Sequence, residues 1–495
     1  MSELQAPIIN WQVKAGKTRV GFTKQRVLMI GQASGTATAK TLIEDVQESE
    51  ATKLLGANSM ARLAFDRFRK HNKRTDIDII PLATPSGATK AKMVVTVAGT
   101  CTEADNLRFR LGDDQFVFEI GIATGATSAS VATKLKDSIN ASTAPFTATA
   151  VTGDTSKVSL EFDIAGTFGN GLTGTIDKRV SGIAVTADKF AGGSGAYSTT
   201  GIFTSVIGRY QTVIFDSTLS FSTVAAFLND RASLSNTVKS GIGVCMRTGT
   251  VAELKTFGDS KDNQYMVILG SADEMKFNLI PLLAAAEFGA KRALRMTEGA
   301  VLGNLTLDAQ ESYGGAEKAS LPYHNTPLSY SRPNNEISLA QLEDLNDSGI
   351  SLFVPSATGS VLGTVVTTYK KNLAGVDDTT FRYLNAVDTS IIIQEYLFNN
   401  CQSEFGQTRA TTGELIDGVS MTNTLSIKSF IVGLYVELVG MALAQGGTAA
   451  VKAFKKRLVV TLDPATGIYS VNAPVAIVSQ FRGLNGVVEI KYDFK

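Results

Sequence analysis

Two stretches of the sequence share one alternation: a short, unbroken apolar run, then a run with helical spacing. That pattern favours a sheet with helices on both faces. Arg26-Val-Leu-Met-Ile-Gly31 reads as a buried strand ending at a glycine. Ser59 to Lys70 places Met60, Leu63, Ala64 and Phe68 on one helical face, with Arg62, Asp66, Arg67 and Arg69 between them. Ile77 to Leu82 reads as the next strand. The alternation returns with strands at Gln211–Phe215, Gly241–Met246, Tyr265–Leu269 and Ile350–Val354. Helices are expected at Ser222–Ser233, Val251–Gly258, Met275–Ala290 and Leu339–Asn346, the last capped by Ser338.

Between these halves the composition shifts. From Lys92 to about Gly195 the chain is rich in Ala, Thr, Gly and Val. Strands are expected at Met93–Val97, Asn106–Leu111, Phe116–Ile122, Thr147–Val151 and Val158–Phe162, with a helix over Ser128–Ser142. Gly112-Asp113-Asp114 suits a hairpin turn. Gly192-Gly193-Ser194-Gly195 reads as a flexible joint. Residues 92–195 are therefore taken as a mostly-β domain inserted into an α/β core, 26–91 and 196–385. An α+β domain at 386–484 follows, with long apolar helices at Asp388–Phe398 and Ile427–Ala444 and a hairpin turning at Asp463-Pro-Ala-Thr-Gly467.

Both ends are expected to be arms. In 1–25, Trp11, Val13 and Ala15 alternate with polar residues, with Ile8 and Ile9 ahead of them. In 485–495, Val488, Ile490, Tyr492 and Phe494 form one apolar face of a final strand. A strand with no later partner in its own chain suits pairing with a neighbouring molecule.

Composition excludes several classes of function. Lys plus Arg is 47 and Asp plus Glu is 46 in 495 residues, without the basic surplus of a generic nucleic-acid binder. Cys101, Cys245 and Cys401 lie far apart, forming neither a disulfide framework nor a zinc site, and suit a reducing compartment. With only His71 and His324, most histidine-based catalytic and metal sites are excluded. The first eleven residues lack a basic region followed by an apolar core, so no signal peptide is expected. The longest apolar run, Phe430–Ala444, is interrupted by Gly433, Glu437 and Gly440 and reads as a buried helix rather than a membrane span. A soluble protein made in the cytoplasm is expected, with no cofactor and no metal.

Local motifs support little chemistry. Gly31-Gln-Ala-Ser-Gly35 follows a strand as a phosphate loop would, but Lys40-Thr41 lies five residues beyond Gly35 rather than directly after it. Gly56-Ala-Asn-Ser59-Met-Ala looks like the serine segment of subtilisin-like proteases. A triad needs His and Asp beside that serine; His71 follows only twelve residues later and in reversed chain order. Asp113-Asp114 and Asp377-Asp378 suit solvated turns, and His324 a loop. Lys452, Lys455, Lys456 and Arg457 form a basic cluster on a short helix, readable as a solvated end or as a patch docking an acidic protein surface.

The most specific segment runs from Leu339 to Leu397. A helix and Ser348-Gly-Ile350 lead into a strand, then Val366-Thr-Thr-Tyr369, Asn372, Gly375, Asp377-Asp378 and Arg382-Tyr-Leu384. This order resembles the contractile-tail sheath proteins of bacteriophages, particularly the phage Mu-like branch. Val27–Gly31, Leu54-Leu-Gly-Ala-Asn-Ser-Met60 through Pro81, and Ala165-Gly-Thr-Phe-Gly-Asn170 are similar to further blocks of that family. Leu55 stands where the family usually has phenylalanine.

The resemblance implies a subtilisin-like, doubly wound α/β core without its chemistry, an inserted domain, and chain ends that pair with strands of neighbouring subunits. It implies a homo-oligomer of stacked rings around a tail tube protein, with baseplate and tail terminator proteins as partners and no nucleic acid or membrane insertion. Such a subunit is assembled in the host cytoplasm into the virion, with Lys452, Lys455 and Lys456 as candidate tube contacts. The sheath of a phage-derived contractile injection particle, a degenerate hydrolase, and a tail-tube or surface-layer subunit are the competing readings.

Overall fold

The computed structural model describes residues 25–112, 115–178, 180–233, 239–277, 279–299, 323, 326–357 and 359–479. The arm residues Ile8, Ile9, Trp11, Val13, Val488, Ile490, Tyr492 and Phe494, the pair Asp113-Asp114, and His324 lie outside the described residues.

The first part of the core runs β1 (Arg26–Gln32), α1 (Glu48–Leu55), α2 (Met60–His71) and β2 (Asp76–Leu82). The intervening region holds β3 (Lys90–Gly99), β4 (Asp105–Leu111), β5 (Phe116–Ile122), α3 (Ser128–Ala141), β6 (Phe146–Val151), β7 (Asp154–Ala165), β8 (Gly174–Lys178) and β9 (Ile183–Ala187). The core resumes with β10 (Thr212–Ile214), α4 (Phe221–Ala232), β11 (Ile242–Gly249), α5 (Val251–Asp259), β12 (Met266–Ala272) and α6 (Pro281–Gly299). Then come β13 (Thr326–Leu328), α7 (Leu339–Asp347), β14 (Ile350–Pro355) and β15 (Ser360–Leu362). The last part comprises α8 (Leu384–Phe405), β16 (Arg409–Ala410), β17 (Met421–Thr422), α9 (Thr424–Gly440), α10 (Thr448–Arg457), β18 (Val459–Asp463) and β19 (Ile468–Asn472).

The protein is a mixed α/β fold with several sheets. The central one has eight strands in the order β13-β15-β14-β12-β11-β10-β1-β2. β2, β1, β10, β11, β12 and β14 run parallel, and β15 is antiparallel to β14. Helices cover both faces, so these strands are near-continuous apolar runs: Val27 to Ile30 and Met266 to Leu269 are fully buried. Helix α6 packs close because Gly289 faces Ile214; a Cβ there would meet Ile214 Cδ1 at 2.6 Å. The intervening region adds a four-stranded sheet, β6-β7-β3-β9, and a three-stranded one, β5-β4-β8. Helix α3 carries Val131, Leu135 and Ile139 into its core.

Two expectations needed revision. The helix read over Met275–Ala290 begins only at Pro281. Lys276 takes a left-handed conformation (φ +46°), which ends a short 3-10 turn at Met275, and proline suits the first position of a helix because that N–H has no intrahelical partner. The Gly192–Gly195 joint is pinned rather than free. Asn170 donates to Gly193 O at 2.8 Å and accepts from Gly193 N at 2.9 Å, while Thr89 bonds Gly192 O and pairs with Ser194. A Cβ on Gly193 would lie 2.3 Å from Gly166 O, so glycine here serves close approach.

A second hydrophobic cluster lies apart from the main core. It gathers Ile392, Tyr396, Ile427, Ile431, Leu434, Tyr435, Leu438 and Phe454 from α8, α9 and α10. Tyr435 stacks on Phe454 with ring centres 4.0 Å apart. The β18–β19 hairpin closes over it through Val460 and Tyr469, and the Tyr469 hydroxyl donates to Thr422 O at 2.7 Å.

Candidate assembly surfaces

The residues that imitate catalytic motifs are occupied with structural work. After β1, the N–H groups of Ser34, Thr36 and Ala37 donate to the carbonyls of Leu55, Lys53 and Leu54. A phosphate loop must leave such groups free for its ligand. Lys40 turns away and donates to Ser198 Oγ and Thr200 O, both at 3.1 Å. Ser59 is buried and caps α2, its Oγ accepting from Arg62 N at 3.1 Å. His71 closes the same helix, about 18 Å along its axis, where it meets Glu287 and Ser329. Among the described residues no base pairs with the Ser59 hydroxyl.

Strand order reverses at β1, and open α/β sheets bind ligands outside the carboxyl ends of the strands at such a point. The nearby cavity of about 300 Å³ lies instead beyond the end of β2, walled by Lys40, Thr84, Tyr197 and Ser198. Asp216, just past β10, accepts from Thr218 N at 2.8 Å, and burial pushes its carboxyl up from the ordinary value. Among the described residues no three His, Cys, Asp or Glu side chains could hold a metal ion. Among them, too, no helix is long and apolar enough to cross a membrane.

The surface that stands out belongs to the last part of the chain. Nine of the fourteen large apolar side chains exposed among the described residues lie between Leu415 and Val478, so the second cluster is far less covered than the main core. The β18–β19 hairpin forms a two-stranded sheet of its own, with no further partner strand among the described residues. Val459 and Ile468 face outward from it. Open strand edges are templates for another strand. Beyond the hairpin, Ala444 pairs with Ile477 and Gln445 N donates to Ala476 O at 2.7 Å, which steers the chain past the end of α9. Lys452, Lys455, Lys456 and Arg457 are all exposed on α10, the last three in its final turn, where positive charge complements the helix dipole. The basic cluster and the hairpin, which follow one another directly in sequence, share one small unit.

These features define an α/β protein whose enzyme-like loops are closed and whose exposed apolar surface is gathered around one small unit. Comparison with known proteins narrows the class. The chain is 23% identical over 434 residues to the Mu-like prophage FluMu tail sheath protein of Haemophilus influenzae, a match covering 83% of this chain and 82% of that one. It thus resembles the phage tail sheath proteins whose motifs its sequence carries. No family model matches it. Among solved structures it is similar to a sheath tail protein of Desulfitobacterium hafniense (13% identity, 95% and 96% of the two chains, TM-score 0.46). One from Listeria innocua gives 14% identity, 95% and 94% coverage, and TM-score 0.46. The helical sheath of the anti-feeding prophage in its contracted state gives 10% identity, full coverage of both chains and TM-score 0.44. At such scores the superpositions carry no residue's role across.

Proposed function

We propose that this chain is the structural subunit of a contractile tail sheath, polymerising helically around a tail tube and contracting to drive that tube through a host envelope. The observation that carries this reading is the match to a tail sheath protein over 83% of the chain. The Val366-Thr-Thr-Tyr369 block lies inside the most specific part of the resemblance. The subunit takes its place in the virion after assembly in the host cytoplasm, and the same architecture would serve a phage-derived injection particle. Its partners are copies of itself, the tube protein, the baseplate and the tail terminator. No cofactor and no catalytic step are required: the free energy comes from surface buried between subunits on contraction.

In this reading 26–91 and 196–385 form a subtilisin-like core stripped of its chemistry. The 92–195 domain is an insertion, and 386–484 is the part nearest the tube. The arms, 1–25 and 485–495, add strands to neighbours. Strand addition supplies backbone hydrogen bonds that tolerate modest rotation of the bodies it joins. The hairpin β18–β19, whose edges have no partner strand among the described residues, suits it as an acceptor. Contacts between unlike surfaces that do not close generate helices.

Deleting Met1–Trp11 or Val487–Lys495 tests this. Each truncation is expected to leave a folded monomer, by circular dichroism and gel filtration, that forms no striated cylinders under negative-stain electron microscopy. Cylinders from either truncated chain would refute the arm model.

A further inference from the structure

Residues 370–378 form a finger whose construction exceeds what a surface loop needs. Asp378 N donates to Lys370 O at 2.8 Å and Asn372 N to Val376 O at 2.9 Å, closing the stem. The Asn372 side chain accepts from Ala374 N and Val376 N at 2.9 and 3.1 Å, and Gly375 supplies the left-handed turn (φ +76°). Tyr369 donates to Asp378 at 2.6 Å. The base is bolted to the core: Lys370 Nζ donates to Gly258 O and Lys261 O, and Lys370 N to Asp262. At the tip this frame presents Leu373, 111% exposed, and Val376, 61% exposed. Scattered surface apolar residues are ordinary. Two on one rigid tip, whose backbone freedom is already spent, form a preorganised knob.

A matching hole lies elsewhere on the molecule. Between α8, α9 and residues 471–477 opens a groove of about 450 Å³, walled by Leu397, Cys401, Ile431, Val475 and Ile477. Among the described residues that line it none is charged, and the polar ones are Ser390 and Gln394. None of the lining residues belongs to the finger. A knob and a hole at different places on identical chains make a heterologous contact, and such contacts build rings where the rotation closes and open helices where it does not.

Resting on the sheath reading, we infer that the Leu373–Val376 tip of one subunit docks into the α8–α9 groove of a second copy of this chain. The contact is dry and apolar, so it releases and re-forms without breaking ion pairs as subunits move. It is separate from the arms and joins core to C-terminal unit between subunits.

The test uses the full chain. Leu373→Asp, at a fully exposed site, is expected to leave the circular dichroism spectrum and melting temperature unchanged. It should raise the concentration needed for cylinders at least tenfold. Leu373→Cys, oxidised mildly, is expected to yield covalent multimers through Cys401, lost in Leu373→Cys/Cys401→Ser. Leu373→Asp chains that assemble like wild type overturn the docking. So do multimers that survive Cys401→Ser, or assembly lost in Leu373→Asp without any Cys401 cross-link, because both place the receptor elsewhere. A Val488→Cys chain that cross-links to Cys401 while Leu373→Cys does not would give the groove to the C-terminal segment. Wild type that forms no cylinders even with tube protein supplied overturns the sheath reading itself; cylinders without finger docking overturn only the inference.

Discussion

The main core and the C-terminal unit manage polar groups and apolar surface in opposite ways. The core buries charge and pairs it, partly with its own side chains and partly with the first turns of α8. Arg292 on α6 and Asp388 on α8 are both fully buried, joined at 2.5 Å and 3.1 Å. Arg292 also donates to Gln211 O, and the Tyr323 hydroxyl donates to Asp388. Glu287 is likewise fully buried, facing Arg67, Lys291 and His71. The C-terminal unit instead leaves Val459, Ile468, Leu425 and Val436 in solvent around a small cluster. The difference teaches a division of labour. On the proposed sheath reading, a body that swings as a rigid part would keep its charges paired within its own chain, whereas a body that joins neighbours would be finished by them.

The largest effect is expected from breaking this buried pairing. Asp388→Ala leaves Arg292 charged and unpaired in an apolar interior, and loss of one member of a buried pair costs about 3–5 kcal/mol. Denaturant unfolding of the monomer would measure it. Arg292→Met/Asp388→Leu, which removes both charges, is expected to be more stable than Asp388→Ala alone. Equal loss in both variants would mean that packing, not charge, carries the site.

A smaller effect, dependent on pH, comes from Glu287. Burial pushes its carboxyl up, but His71, Lys291 and Arg67 outweigh that and hold it well below the usual glutamate range. Because the folded value is depressed, its contribution is present above the unfolded pKa of about 4.3 and is lost as pH falls below it. Glu287→Gln is expected to cost roughly 2 kcal/mol at pH 7, as it weakens hydrogen bonds to charged partners. It should also flatten the decline of stability between pH 5 and pH 3. An unchanged acid limb would show that other carboxylates govern it.

The same contrast explains what could be read in the sequence. The parallel strands were legible because burial on both faces writes an apolar run, as in Val27–Ile30 and Met266–Leu269. The Ser338 cap was legible, and its hydroxyl does accept from Gln341 N; the return bond from the Gln341 side chain was not foreseen. Asp377-Asp378 read as a turn, and Asp378 does accept from Thr380 and Tyr369 there. What stayed hidden was long-range. Arg292 and Asp388 are 96 residues apart, and helical periodicity marks a face, not its partner. Asn170 stitching Gly193 made a glycine-rich joint rigid, which composition cannot foresee. The finger lay inside the most specific segment yet was unrecognised, because its frame depends on Lys370 reaching Gly258 and Lys261.

The smallest effect on stability, and the sharpest on the comparison, is expected from reversing Lys452, Lys455 and Lys456 to glutamate. All three side chains are exposed on α10, so each change should move stability by no more than about 1 kcal/mol, chiefly through the helix dipole. If the C-terminal unit is finished by an acidic tube surface, the triple variant should still form cylinders alone. It should co-sediment poorly with assembled tube, most evidently at low salt, where exposed charges are least screened. If polymerisation falls as much as tube binding, the cluster lies between sheath subunits. The unit would then be completed by copies of itself alone.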